Sequence, residues 1–405
     1  MEIQRYYIPI NRLLSILFFC VLFSLKTEAQ IDFRDSTFEV RVMDSVYYGS
    51  AKNFGGAETQ LYLDIYLPKD LDDYERPLIV FAHGGSFLSG NRKSPDLVIL
   101  CNELASRGYI CASIDYRKGI NVLRDFKDEF AKAVWRAVQD ERTAMRFFRS
   151  SYAEGNPYHI DTNQMYLAGV SAGSIAALHA AFQTDTSEIP STINTSSLGG
   201  LYAGDHGSYS SHFKGIINLF GAISEKDYID FPPDIQQCHL HGSSDQTVPY
   251  KSDTYAPNNI EIGILHGSYV IDSISKSLGM NSTLKTLWNK GHVPYTRDSS
   301  YIDTTLNFIV DCMFDKVTLG KKVGVQQFDE LGQIRFWQNE GYLYLEKSFD
   351  TEGEIEIYNS TGARIYKQVI LTNHERIKLA TKLQGPHIVK LRSGSQMYIR
   401  KIWFQ

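Results

Sequence analysis

Positive charge is not in excess in this sequence: its 405 residues carry 41 Lys and Arg against 46 Asp and Glu, for a formal net charge of -5 and a pI near 6.1. No basic field is available to collect phosphates, which argues against a nucleic-acid partner. Long hydrophobic runs are missing beyond Leu25, where none nears the roughly 20 apolar residues of a spanning helix, so no stable membrane span is expected. Internal repeats and low-complexity tracts are absent too, which excludes solenoids and arrays. Cysteine is scarce, at five residues. His239 and His241 form a His-x-His pair on one strand face, but no third ligand stands at recognisable spacing, and no metal site is expected.

What is present divides the chain into parts. Arg5 and Arg12 precede an apolar run from Leu13 to Leu25, broken only by Ser15 and Ser24, and Thr27-Glu28-Ala29 offers a small residue for cleavage. This reads as a signal peptide over 1–29. The length of the remainder favours one large domain and a smaller one, since a single core rarely serves so long a chain. Export permits disulfides among the cysteines beyond Cys20, namely Cys101, Cys111, Cys238 and Cys312, with three possible connectivities. The short loop from Cys101 to Cys111 is the favoured bridge; Cys238 and Cys312 read equally well as buried free thiols.

Leu61, Leu63, Ile65 and Leu67 alternate with polar or aromatic residues, the period of an antiparallel edge strand that Pro68 ends. Leu78 to Ala82 is instead continuously apolar, as in a strand covered on both faces. Comparable runs follow at Tyr109 to Ser113, Met165 to Ala168, Ile216 to Phe220, Cys238 to His241 and Leu284 to Trp288. Helical spacing marks Ser94 to Arg107, Phe130 to Phe148 and Ser174 to Phe182. Alternating strands and helices imply a mostly parallel sheet with ligands at the carboxyl ends of its strands. Gln183 to His212 breaks the pattern, as a functional loop or a plain insertion would. After about Thr318 only short strand candidates remain, at Tyr342 to Leu345, Glu354 to Tyr358, Arg364 to Val369, His387 to Leu391 and Met397 to Phe404. They read as a separate small β-sandwich.

The chemistry gathers at strand ends. Gly169-Val170-Ser171-Ala172-Gly173 lies between a strand and a helix, where a tight turn lifts the Ser171 hydroxyl above the sheet. His83-Gly84-Gly85-Ser86 follows the buried Leu78 to Ala82 strand. The amides of Gly84, Gly85 and Ser86, together with that of Ala172, are candidate donors to a developing oxyanion. A serine nucleophile needs a base, and the base an orienting carboxylate, in the chain order serine, acid, histidine. Asp245 follows the Cys238 to His241 strand and is better placed than Asp227, Asp230 or Asp234. His292 lies in the loop beyond the last parallel strand, whereas His266 sits where a helix begins on the way to it.

From about Leu61 to Tyr295 the chain resembles secreted carboxylesterases of the α/β-hydrolase superfamily. The branch is the one that carries His-Gly-Gly for the oxyanion and includes lipase-like and acetyl- or feruloyl-type carbohydrate esterases. Asp115-Tyr116-Arg117 and Gln139-Asp140 fit that branch as scaffold, while Ser174 departs from it where many relatives carry glycine. The resemblance implies an α/β-hydrolase fold over 30–317, with a mostly parallel, roughly eight-stranded sheet flanked by helices. It implies Ser171, Asp245 and His292 as catalytic residues, a small-molecule or polysaccharide ester substrate and no cofactor. The tail over 326–405 resembles the C-terminal sorting domain of the type IX secretion system of Bacteroidota, through Ile357-Tyr358-Asn359 with Gly362, Gly385 with Ile388-Val389-Lys390-Leu391, and Lys401. Pro386 and His387 depart from the usual residues after that glycine. This implies the secretion machinery as a partner and a place outside the cell or on the surface of a Gram-negative bacterium. A carbohydrate-binding or adhesive sandwich is the rival for the tail. For the whole chain the expectation is a secreted serine hydrolase of carboxylic esters acting through an acyl-enzyme. A serine peptidase of prolyl-oligopeptidase-like type and a catalytically silent binding module on the same fold are its rivals.

Overall fold

The structure, a computed structural model, describes residues 33–69, 74–121, 123–229, 235–256 and 260–313, then a series of strands and adjoining residues between 334 and 404. The expected signal peptide over 1–29, the start of the expected tail domain at 326–333 and Gly362 lie outside the described residues.

The chain opens with β1 (Val40–Lys52) and β2 (Glu58–Pro68), then alternates through β3 (Arg76–Ala82), α1 (Pro95–Ala105), β4 (Ile110–Ile114), α2 (Phe126–Ala153), β5 (Ile160–Val170), α3 (Ala172–Phe182) and β6 (Gly215–Leu219). β7 (Ala222–Ile223), β8 (Gln236–Gly242), β9 (Ser252–Tyr255), β10 (Gly263–Gly267), α4 (Ser268–Ser277), β11 (Ser282–Leu287) and α5 (Ser300–Met313) follow. Eight of these strands form one sheet in the order β1-β2-β4-β3-β5-β6-β8-β11. β2 pairs antiparallel with both β1 and β4, and every pair from β4 to β11 is parallel. This strand order and the crossover helices make the fold that of an α/β-hydrolase.

Continuous burial explains the parallel core. All residues of β3, β4 and β6 are buried, because helices cover both faces: α2 and α3 pack together, as do α1 and α5. One strand expectation needs correcting. The Leu61 to Leu67 segment is not the edge of the sheet, since β1 lies outside it. β1 escapes sequence reading because two register shifts, between Met43 and Val46 and between Tyr47 and Gly49, break its alternation.

α2 begins earlier than its apolar spacing suggests, at the N-cap Asp125, whose side chain accepts the N–H of Asp128. β7, β9 and β10 form a small antiparallel sheet that the sequence pattern does not announce. Beyond 334 come β12 (Ile334–Asn339), β13 (Tyr342–Lys347), β14 (Gly353–Tyr358), β15 (Arg364–Ile370), β16 (His374–Lys378), β17 (Gly385–Ser393) and β18 (Gln396–Phe404). They make a three-stranded sheet, β12-β13-β16, and a four-stranded one, β15-β14-β17-β18, all antiparallel. A β-domain therefore follows the α/β-hydrolase fold.

The disulfide expectation is overturned. Cys238 and Cys312 are bridged, tying β8 to α5 across a sequence separation of 74. Cys101 and Cys111 are free thiols, both buried. Chain proximity misled here: Cys101 and Cys111 sit beside one another in α1 and β4 without a bond, and burial pushes the Cys101 thiol well above its ordinary pKa. β8 and α5, by contrast, are packed directly together.

Candidate active site

The turn at Ser171 is as strained as its sequence suggests. Ser171 holds φ 54° and ψ -116° between β5 and α3, a conformation costly for a residue with a side chain. Gly173 is required beside it, because a methyl group there would strike the carbonyl of Ala82 at the end of β3. Ser174, the departure from glycine, gives the turn a further support: its hydroxyl donates to Gly169 O at 2.5 Å and accepts the N–H of Leu219 at 2.8 Å.

The loops that carry Asp245 and His292 are laced together. Ser243 N donates to Leu287 O at 3.0 Å, Ser244 N to Lys290 O at 2.9 Å, and Asn289 N to Ser243 Oγ at 2.8 Å. As a result, His292 Nε2 stands 2.8 Å from Ser171 Oγ and His292 Nδ1 stands 2.6 Å from Asp245 Oδ2. The Asp245 side chain is fully buried, and that of His292 is 19% exposed. Asp245 Oδ1 accepts the N–H groups of Thr247 and Val248 at 2.8 and 3.0 Å. Burial favours the neutral acid, but hydrogen bonds from His241 and His292 outweigh it and hold the Asp245 carboxyl well below the usual carboxylate range.

The His83 to Ser86 loop closes against the same serine. A Cβ on Gly84 would lie 3.3 Å from the Cβ of Ser171. Gly85, Ser86 and Phe87 all have positive φ, at 118°, 53° and 60°, and the Gly85 carbonyl is occupied by the N–H groups of Leu88 and Ser89. The amides of Gly85 and Ser86 meet no acceptor among the described residues. Ala172 opens α3, where first-turn N–H groups lack intrahelical partners. His83 itself is turned away from chemistry: its Nδ1 bonds Gly84 O at 2.6 Å, its ring stacks on Tyr116, and burial pulls its pKa down to about 4. The Tyr116 hydroxyl donates to His83 O at 2.9 Å.

Sequence reading missed two neighbours of the site. Phe220, buried and at φ 62°, packs in a T-shaped arrangement with both His241 and His292; an apolar residue at a strand end carries no signal of that. His241, fully buried, is the other: its Nε2 lies 3.2 Å from Asp245 Oδ2, and the His-x-His pattern gives no sign of that contact. His239 does sit in the core, bonded to Asn218 and Gln237. His266 lies at the end of β10, just before the N-cap Gly267 of α4, and its ring bonds Ser252. Among the described residues no group of His, Cys, Asp and Glu could hold a metal ion.

The irregular Gln183 to His212 segment is clamped to α2. Gln139, Arg142 and Arg146 donate to the carbonyls of Gln183, Leu198, Gly200, Leu201, Ala203 and Asp205. Trp135 of α2 packs with Ile193, Leu201 and Tyr202. These buried polar residues of α2 serve as partners for carbonyls of a segment whose only helical turns, among the described residues, are Thr186–Glu188 and Thr195–Leu198.

The BD-FAE family model matches residues 63–230, which contain the His83 to Ser86 loop and Ser171. The chain is similar to esterase LipC of Mycobacterium tuberculosis, at 29% identity over 35% of this chain and 33% of that protein. It is also similar to the protein named probable carboxylesterase 1 of Arabidopsis thaliana, at 29% identity over 33% of this chain and 42% of that protein. The chain thus spans well under two thirds of these relatives. Among solved structures, esterase 2 of Thermogutta terrifontis phosphoramylated by tabun aligns at 20% identity over 68% of this chain and 94% of that one, with a TM-score of 0.47. Strand order gives this chain the α/β-hydrolase fold, and within that fold it is similar to carboxylesterases.

Proposed function

We propose that the chain is an exported serine hydrolase that cleaves carboxylic esters through an acyl-enzyme. The observation that carries this reading is the unbroken series Ser171 Oγ, His292 Nε2, His292 Nδ1 and Asp245 Oδ2, with separations of 2.8 and 2.6 Å. His292 takes the Ser171 proton as Oγ bonds to the ester carbonyl carbon. Charge then collects on the carbonyl oxygen, where the amides of Gly84, Gly85, Ser86 and Ala172 are the available donors. The carbon–oxygen bond to the alcohol breaks as His292 returns the proton to it. Water, deprotonated by the same imidazole, releases the acid and restores Ser171. Asp245 fixes the tautomer throughout, and the reaction requires no cofactor. An amide substrate would present a poorer leaving group, so esters fit this machinery better.

For the substrate we propose acyl esters of carbohydrate, acetyl or feruloyl, supported by the resemblance to that branch and by the BD-FAE match. Labelling by a fluorophosphonate probe should vanish in Ser171→Ala; retained labelling with ester turnover would refute the assignment. A panel of chromogenic esters, acetylated and feruloylated polysaccharides and peptide amides tests the substrate class. For the tail over 326–405 we propose a sorting role in type IX secretion. Undiminished export of a chain truncated before residue 326 would reject it.

A further inference from the structure

Behind Asp245 the hydrogen bonds do not stop. His241, fully buried at the end of β8, has Nε2 3.1 Å from Val248 O and 3.2 Å from Asp245 Oδ2. Its Nδ1 lies 2.8 Å from Ser268 Oγ, at the first residue of α4. Ser268 Oγ also receives a bond from Asn218 Nδ2 at 2.9 Å, and Asn218 Oδ1 accepts the N–H of Gly221 at 2.8 Å.

The direction of every bond follows from the ends. Gly221 N–H can only donate, so the atom it meets is the Asn218 oxygen, and the Asn218 amide nitrogen must face Ser268. Ser268 therefore accepts from Asn218 and has its own proton to give. The His241 Nδ1 at 2.8 Å is much nearer than the other candidate, Gly221 O at 3.5 Å. On the far side, Nε2 faces two oxygens, a carbonyl and a carboxylate, both of which only accept. A lone pair there would be repelled by both. Nε2 must carry the hydrogen.

We propose that His241 is a positioning residue for the reaction, its Nε2–H holding the Asp245 carboxylate in register with His292 while Ser268 and Asn218 fix the His241 tautomer. Asp245 Oδ1 is already tied by Thr247 and Val248 amides, so among the described residues His241 is the side-chain donor that joins His292 at Oδ2. Phe220 packs at a steep angle against both imidazoles, with ring centroids 5.7 and 5.9 Å away. His241 touches no substrate and transfers no proton. Its effect is on how often Asp245 and His292 are aligned when Ser171 attacks, which concerns turnover rather than binding.

The proposal rests on the triad reading, and the experiment separates the two. His241→Phe should lower kcat about 10-fold or more with KM unchanged within about twofold, and His241→Gln, whose amide N–H reaches the same place, should recover most of that loss. Ser268→Ala should lower kcat in the native background and have no further effect on top of His241→Phe, the non-additivity expected of one chain of contacts. Native kcat in His241→Phe, or no recovery in His241→Gln, overturns the inference. Should His241→Phe fail to fold, native kcat in Ser268→Ala overturns it equally. Ser171→Ala is the control: if it stays active the triad reading itself falls, and if it is dead while His241→Phe is fully active, this inference falls alone.

Discussion

Arg117 and Asp140 form a buried ion pair held by backbone as well as side-chain hydrogen bonds. Arg117 Nε donates to both carboxylate oxygens, at 2.8 and 3.0 Å, and the Arg117 backbone N–H adds a bond at 2.7 Å. The side chains are only 6% and 1% exposed. The pair fastens the segment after β4 onto α2, and the residue before Arg117 is Tyr116, whose hydroxyl donates to the carbonyl of His83 at the start of the His83 to Ser86 loop.

Removing one partner would leave the other charge buried and alone. Asp140→Ala is expected to destabilise the protein by about 3–5 kcal/mol, read from urea unfolding midpoints. Because Arg117 also bonds Gln139 and the carbonyl of Lys52, the loss should come with increased protease cutting around residues 117–125. A destabilisation below about 1 kcal/mol, the level of a surface pair, would show that the contact is dispensable.

The bridge between Cys238 and Cys312 closes a long loop and anchors the strand that leads to Asp245. Loop-closure entropy for such a separation amounts to roughly 4 kcal/mol. Cys312→Ser should therefore lower the melting temperature markedly. Alkylation of the denatured, unreduced chain lacking residues 1–29 should add two groups, on Cys101 and Cys111, and alkylation after reduction should add four, as judged by mass. Four groups without reductant would mean that the bridge does not form.

The elements that sequence reading reaches and those it does not differ for physical reasons. β3, β4 and β6 are legible because burial on both faces demands unbroken apolar runs. The turn at Ser171 is legible because a strained turn between strand and helix admits only small neighbours. β1 is illegible because its bulges spoil the period, and β7, β9 and β10 are too short to establish one. The Cys238–Cys312 bridge and the contact of His241 with Asp245 depend on which loops meet in space, and no local pattern encodes that. The polar residues of α2 look like an exposed face in sequence, yet Arg136, Gln139, Asp140, Glu141, Arg142 and Arg146 are all buried: the stretch after β4 bonds Arg136 and Asp140, and the stretch over 183–205 bonds Gln139, Arg142 and Arg146.

Glu141 is the member of that set with no partner for either carboxyl oxygen among the described residues. Burial, with Asp140 adding to it, pushes its pKa well above the ordinary 4.5. The folded chain then holds a proton that the unfolded chain releases, so its stability is greatest below the unfolded pKa and declines as pH rises toward the folded one. Glu141→Met removes both the titration and the unmet oxygens. The variant should gain on the native protein by about 1–3 kcal/mol at pH 8, with the advantage shrinking toward pH 5. Parallel stability–pH curves for the two proteins would contradict this account of Glu141.

Gly85 tests the oxyanion loop without touching Ser171, His292 or Asp245. Its φ of 118° and the position of Ser89, whose carbonyl a methyl group would strike, leave no room for a side chain. Gly85→Ala must therefore reshape the turn that Leu88 N and Ser89 N close on Gly85 O, and the amides of Gly85 and Ser86 turn with it. Losing one well-aimed donor lowers turnover about 100-fold or more, because the charge on the carbonyl oxygen develops faster than a displaced loop can follow. Ground-state contacts change little, so KM for a short-chain p-nitrophenyl ester should stay near its native value while kcat collapses. A reversible phosphonate that mimics the tetrahedral oxyanion should weaken in proportion to kcat. If kcat falls less than about threefold, or if phosphonate affinity is untouched, the charge is stabilised by other donors and the assignment to this loop is wrong.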